Sequence, residues 1–122
     1  MRQPILIADD NAESRSALRL MLQTRLGVQS ITEARDMEHV WAIVEDAPPD
    51  CVILDWELPG RPARGRVSVL KLLAPKLKII AISARPESRA DALADEVDAF
   101  ISKTEPPDQM IETIRKILTA PG

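Results

Sequence analysis

The sequence predicts an α/β fold: a single doubly wound (βα)5 domain built on a parallel five-stranded sheet. Three observations lead there. Five short apolar or β-branched runs alternate with five stretches of helical spacing. Three of those runs are apolar nearly throughout, as strands covered by helices on both faces must be. A length of 122 residues suits one ordinary domain, so residues 1–122 are read as a single unit.

The elements follow in order. The first strand is Ile5–Ala8, and the helix after it places Leu18, Met21, Leu22 and Leu26 on one face, with Gly27 as its stop. Residues Ser30–Glu33 alternate apolar and polar, which suits an edge strand. Asp36 is placed to cap a second helix whose packed face is Met37, Val40, Trp41 and Val44, and Pro48-Pro49 closes it. Cys51–Leu54 is the most apolar strand and therefore central. The third helix is weakly patterned, with Val69, Leu70, Leu72 and Leu73 as its apolar side. Lys78–Ile82 is the fourth strand, and a polar helix from Pro86 to about Glu96 follows. Ala99–Ser102 is the fifth strand. The last helix has Pro107 in its first turn and buries Met110, Ile111, Ile114, Ile117 and Leu118.

Composition narrows the function classes. The net charge is −3 and Lys and Arg are dispersed, so no basic block argues for direct nucleic-acid binding. The single cysteine, Cys51, rules out an intrachain disulfide and fits a reducing, cytoplasmic setting; inside an apolar strand it reads as a small buried hydrophobe. No apolar run approaches the roughly 20 residues that span a bilayer, and the opening residues turn acidic too early for a signal peptide. No membrane association is expected.

In open α/β sheets, ligands bind beyond the carboxyl ends of the strands. Here the first strand runs into Asp9-Asp10, the third into Asp55, the fourth into Ser83 and the fifth into Ser102-Lys103. Three carboxylates brought together repel one another unless a cation joins them, and an oxygen-only set suits Mg²⁺. A carboxylate can accept a phosphoryl group, and an ammonium, a hydroxyl and a metal can share the transferring charge. Asp55, after the central strand, is the best acceptor. Each residue alone also has an ordinary reading, as a helix cap, a loop hydroxyl or a solvated charge; the joint pattern is what points to phosphoryl chemistry.

Four segments carry a family resemblance over essentially the whole chain: Leu6–Asn11, Val52–Gly60, Ile80–Ala84 and Ala99–Lys103. In this order and spacing they resemble the receiver domains of two-component response regulators. The resemblance implies a flavodoxin-like sheet of strand order 2-1-3-4-5. It implies Asp55 as phosphoacceptor, and Asp10 and Asp55 as Mg²⁺ ligands with the backbone carbonyl of Glu57. Asp9 would act through a bound water. Ser83 would be the switch hydroxyl, Lys103 the lysine contacting the phosphoryl group, and Phe100 either the aromatic that moves with the switch or a plain core residue. Trp56, Glu57, Ala84 and Arg85 would rim the pocket, with Glu57 and Arg85 placed to pair across its mouth. The chain departs from the family where Thr104 replaces the usual proline after Lys103, in the acidic Asp95–Asp98 segment, and in the basic lead from Pro62 to Arg66.

The expected function is Mg²⁺-dependent phosphotransfer from a sensor histidine kinase or phosphotransfer protein to Asp55, with switching of an interaction face. Such a domain is not a conventional enzyme, though it would catalyse its own phosphorylation and dephosphorylation. Downstream, an effector domain, a partner protein or a second copy of the chain would read the switch. Two other readings stand beside this one. A degenerate receiver would keep the fold as a protein-binding module without the chemistry. A hydrolase with an Asp nucleophile usually carries a second Asp two residues on, where this chain has Glu57.

Overall fold

A computed structural model describes residues 3–62 and 64–121; Ala63, in the basic lead, and Gly122, in the tail, lie outside the described residues. The elements are β1 (Ile5–Ala8), α1 (Ala12–Leu26), β2 (Ile31–Ala34), α2 (Met37–Asp46), β3 (Cys51–Asp55), α3 (Arg66–Leu73), β4 (Lys78–Ser83), α4 (Ser88–Ala94), β5 (Ala99–Ser102) and α5 (Pro107–Thr119). The five strands are all parallel and lie in the order β2-β1-β3-β4-β5. This is the flavodoxin-like order that the family resemblance implies.

Period-two alternation divides the core between the two faces of the sheet. Ile5, Ile7, Ile53, Ile80, Ile82 and Ile101 point to the side covered by α1 and α5, where Leu18, Leu22, Ile114 and Leu118 meet them. Leu6, Ala8, Val52, Leu54, Ile79 and Ala81 point to the other side, under Met37, Val40 and Val44 of α2, Val67 and Leu70 of α3 and Ala92 of α4. The chain leaves β1 toward β2 and leaves β3 toward β4, in opposite directions across the sheet. That divergence opens a crevice at the carboxyl ends of β1 and β3.

Local chemistry bounds the first two helices, with Gly27 and Asp36 in their expected places. Asn11 Oδ1 accepts from Ser14 N at 2.9 Å to cap α1, and Gly27 takes the left-handed conformation (φ 65°) after its last turn. Asp36 Oδ1 accepts from His39 N at 2.9 Å at the start of α2. Among the described residues, no helix is long and apolar enough to cross a membrane.

Three expectations need correction. Strand β2 begins at Ile31, one residue later than the alternation suggested, and α4 is shorter than the Pro86–Glu96 span, running from Ser88 to Ala94. The third helix turns a different face inward. Its buried residues are Arg66, Val67 and Leu70, while Leu72 is 81% exposed and Val69 and Leu73 are also exposed. Apolar residues at 67, 69, 70, 72 and 73 form two overlapping stripes, so periodicity alone does not choose between them. The lead into the helix chooses: the buried Arg66 guanidinium donates to the carbonyls of Pro62 (2.6 Å) and Gly60 (2.8 Å), which sets the rotation of the first turn.

The same lead is tied to α2. Met37 N donates to Pro59 O at 2.9 Å, and Trp41 Nε1 donates to Arg61 O at 2.8 Å. Trp41 is therefore half-buried with its indole N–H on the β3–α3 loop, and only part of it joins the packed face. Gly60 is required there: its φ is 121°, and an added Cβ would lie 2.7 Å from Met37 Cβ.

The corrected face of α3 makes a direct prediction. Leu70→Ala should cost about 2–5 kcal/mol of stability, whereas Leu72→Ala should change it by no more than about 0.5 kcal/mol. Urea midpoints at constant m-value would check this; equal losses would return the inward face to Leu72.

Candidate functional site

The acidic residues reach one point because their strands end together. Ala8 pairs with Leu54 and Asp55 with Ile82, so Asp9 and Asp10 leave β1 beside the end of β3. The carboxylates of Asp9, Asp10 and Asp55 each place an oxygen within 4.8 Å of the others. Asp9 and Asp55 are buried and Asp10 is exposed.

Lys103 arrives from the far side of the sheet. Its backbone N donates to Ser83 O at 2.8 Å, which continues the β4–β5 ladder by one residue and aims the side chain back across β4. Its Nζ then donates to Asp9 Oδ2 and to Asp55 Oδ2, both at 2.9 Å. The other oxygens of these acids take backbone amides: Asn11 N donates to Asp9 Oδ1 and Glu57 N to Asp55 Oδ1, each at 2.9 Å. The Asp10 carboxylate has no protein partner among the described residues.

The electrostatic balance is uneven. Burial pushes the Asp55 carboxyl above its ordinary range, against the opposing pull of the Lys103 ammonium and the Glu57 amide. For Lys103, burial alone favours the neutral amine, but the Asp55 and Asp9 carboxylates outweigh it and hold the ammonium above its usual value. Three carboxylates against one ammonium leave an excess of two negative charges at a half-buried point. That surplus, with oxygen as the only donor type, is chemistry that a metal ion would satisfy.

Ser83 is fully buried at the end of β4. Its Oγ donates to the Glu57 carboxylate, 2.7 Å from Oε1 and 3.0 Å from Oε2, and accepts from Arg85 N at 2.9 Å. Ser88 Oγ, in the first turn of α4, donates to Glu57 Oε2 at 3.1 Å. The expected Glu57–Arg85 pair is therefore not formed. Glu57 faces the hydroxyls of two buried serines, which need an acceptor; the Arg85 side chain is exposed and loses little by remaining solvated. Arg85 contributes through its backbone.

The remaining residues of the expected rim are dispersed. Trp56 is half-buried, its backbone N–H donating to Ile82 O at 2.8 Å and its side chain packed on the core under α2, α3 and α4. Ala84 is exposed. Phe100 is buried on the same core face, with the Arg89 guanidinium carbon 5.9 Å from its ring centroid. The Lys103–Thr104 bond is not among the cis peptides of the described residues; Thr104 Oγ1 instead meets Ser102 Oγ at 2.7 Å.

Sequence reasoning missed three contributors. Asn11 holds Asp9 through its amide, and a capping residue directly after two acids could have signalled that role. Arg15 donates to Asp9 O at 2.8 Å and pairs with Glu33, which Arg19 also holds. Ser88 is 31 residues from Glu57, and no local pattern marks it.

Comparison with known proteins agrees with this geometry. The family model described as the response regulator receiver domain matches residues 5–115. The chain is 29% identical to the phosphate regulon transcriptional regulatory protein PhoB of Pseudomonas aeruginosa over 124 aligned positions, 97% of this chain and 53% of that protein. It thus spans about half the length of the curated relatives it matches. The structure of NtrX from Brucella abortus superposes with a TM-score of 0.81 at 26% identity, covering 97% of this chain and 26% of that one. A CheY-like receiver domain protein from Methanospirillum hungatei gives a TM-score of 0.80 at 22% identity over 95% of this chain and 93% of that one, a likeness of fold. Receiver domains work within two-component systems, and the acidic pocket of Asp9, Asp10 and Asp55 fits the phosphoacceptor site of such a domain. Because the family match runs from β1 into α5 and takes in every strand that supplies this pocket, the chain belongs to the response regulator receiver domain family.

Proposed function

We propose that Asp55 is the phosphoacceptor, receiving its phosphoryl group from a sensor histidine kinase or a phosphotransfer protein in the cytoplasm. The observation that carries this reading is the Lys103 ammonium, shared at 2.9 Å between Asp55 and Asp9, with Asp10 left open beside them. In the transfer, an Asp55 carboxylate oxygen forms a bond to phosphorus as the donor's P–N bond breaks, and the departing imidazole takes up a proton. Lys103 would share the charge on the phosphoryl oxygens, and Ser83 would offer its hydroxyl from the neighbouring strand end. Hydrolysis by water then regenerates the carboxylate.

The donor set fits Mg²⁺. Asp10, Asp55 and the backbone carbonyl of Glu57 would hold it, with Asp9 acting through a bound water, as the family resemblance implies. When bound, the ion supplies positive charge that offsets the developing charge of the transferring group. On the output side, engagement of Ser83 and movement of Phe100 would alter the α4–β5 face for an effector domain, a partner protein or a second copy of the chain. The alternative, a degenerate receiver used only as a binding module, is disfavoured because the chain keeps all three acids, the lysine and the hydroxyl, with Asp9 and Asp55 held by Lys103 and Asp10 open beside them.

Incubation with a small phosphodonor and Mg²⁺ should give a labile, stoichiometric acyl phosphate on the wild-type chain, and Asp55→Asn should abolish it while leaving the fold intact. Stoichiometric labelling of that variant would sink the assignment. For the metal, Trp56 fluorescence in a Trp41→Phe background should respond to Mg²⁺ at millimolar concentration. Asp10→Ala should weaken that response more than Asp9→Ala; the reverse order would exchange the two roles.

A further inference from the structure

We propose that Glu57 is a positioning residue that latches the domain in its resting state, holding the Ser83 hydroxyl and the first turn of α4 together. The inference rests on the phosphoacceptor reading of Asp55. A serine hydroxyl has one proton to donate. In this structure the Ser83 proton goes to Glu57, whose carboxylate is the nearest acceptor at 2.7 Å; the other side of Ser83 Oγ is occupied by Arg85 N. A phosphoryl oxygen on Asp55 can therefore gain the Ser83 hydrogen bond only if Glu57 gives it up. The competition is between two anionic acceptors for one proton.

The latch reaches further than Ser83. Glu57 Oε2 also accepts from Ser88 Oγ at 3.1 Å, and the next residue, Arg89, lies over the Phe100 ring. One turn of α4 thus touches the site through Ser88 and the buried aromatic of β5 through Arg89. Glu57 joins the loop after β3, the end of β4 and the start of α4 through one carboxylate. When Ser83 leaves it, α4 loses one of the ties that fix its first turn, which is the differential contact a two-state switch requires.

The labelling rate with acetyl phosphate, at Mg²⁺ saturating for each variant, tests this. Glu57→Ala frees the hydroxyl and should raise the rate roughly tenfold, about the worth of one hydrogen bond to a charged acceptor. Glu57→Gln keeps an acceptor for Ser83, weaker without the charge, and its amide can donate to Ser88 Oγ, so its rate should rise clearly less than that of Glu57→Ala. In a Ser83→Ala background, Glu57→Ala should have no further effect. Independently of labelling, the amides of residues 88–92 should exchange faster in Glu57→Ala than in Glu57→Gln. Equal acceleration by Ala and Gln would reduce the effect to charge repulsion and overturn the latch. So would acceleration that persists without Ser83, an unchanged rate in Glu57→Ala, or equal exchange in the two variants. A wild-type chain that takes no label on Asp55 would instead overturn the phosphoacceptor reading and the latch with it.

Discussion

The contact on which the site depends is the Lys103 ammonium between two buried carboxylates. Asp9 and Asp55 sit at the ends of adjacent strands and would repel each other without a cation. Lys103 comes from β5, two strands from β3 across the sheet, so the clamp closes only when β4 is paired on both sides. The positive charge compensates one carboxylate and leaves two uncompensated. A folded domain with that surplus at a strand edge is prepared for a further cation and for an anionic group that the cation and the lysine can share.

Around this clamp, the loops that frame the site are held by side chains outside it. Arg66 gathers the carbonyls of Gly60 and Pro62, α2 takes Pro59 through the Met37 amide and Arg61 through the Trp41 indole, and Gly60 allows the close approach. The loop after β3 is therefore anchored at its far end to α2 and α3. Its near end carries Glu57, which turns to β4 and α4 instead. One loop thus connects both halves of the domain, and its two ends serve different purposes: the far end sets the helix packing, and the near end sets which hydroxyls face the acids.

Much of the fold was legible because it follows from repeating patterns. Alternation within Ile5–Ala8 and Cys51–Asp55 assigns each residue to one of two core faces, and spacing in α1 and α5 selects the residues that cover one of them. The candidate site was legible to the extent that chemistry sits at strand ends, which is why Asp9, Asp10, Asp55, Ser83 and Lys103 were singled out from their positions and joint pattern. The face of α3 was not, because two apolar stripes overlap there and the deciding residue, Arg66, is a cation whose burial is made possible by carbonyls that the sequence does not display.

By itself, then, the sequence determined the alternation of five strands with five helices and the acids, hydroxyl and amine placed at the strand ends; the strand order was implied only by the family resemblance. The alternation and the strand ends depend on periodicities of two and 3.6 residues and on where apolar runs stop, which are local properties. Only the tertiary structure decided the partners of Glu57. Whether that carboxylate pairs with Arg85 or accepts from Ser83 and Ser88 depends on which group is buried and in need of an acceptor. Burial of that kind arises from elements 26 and 31 residues apart in the chain. Coulomb attraction between exposed side chains is weak in water, whereas a buried hydroxyl without an acceptor is costly, and that difference settles the pairing.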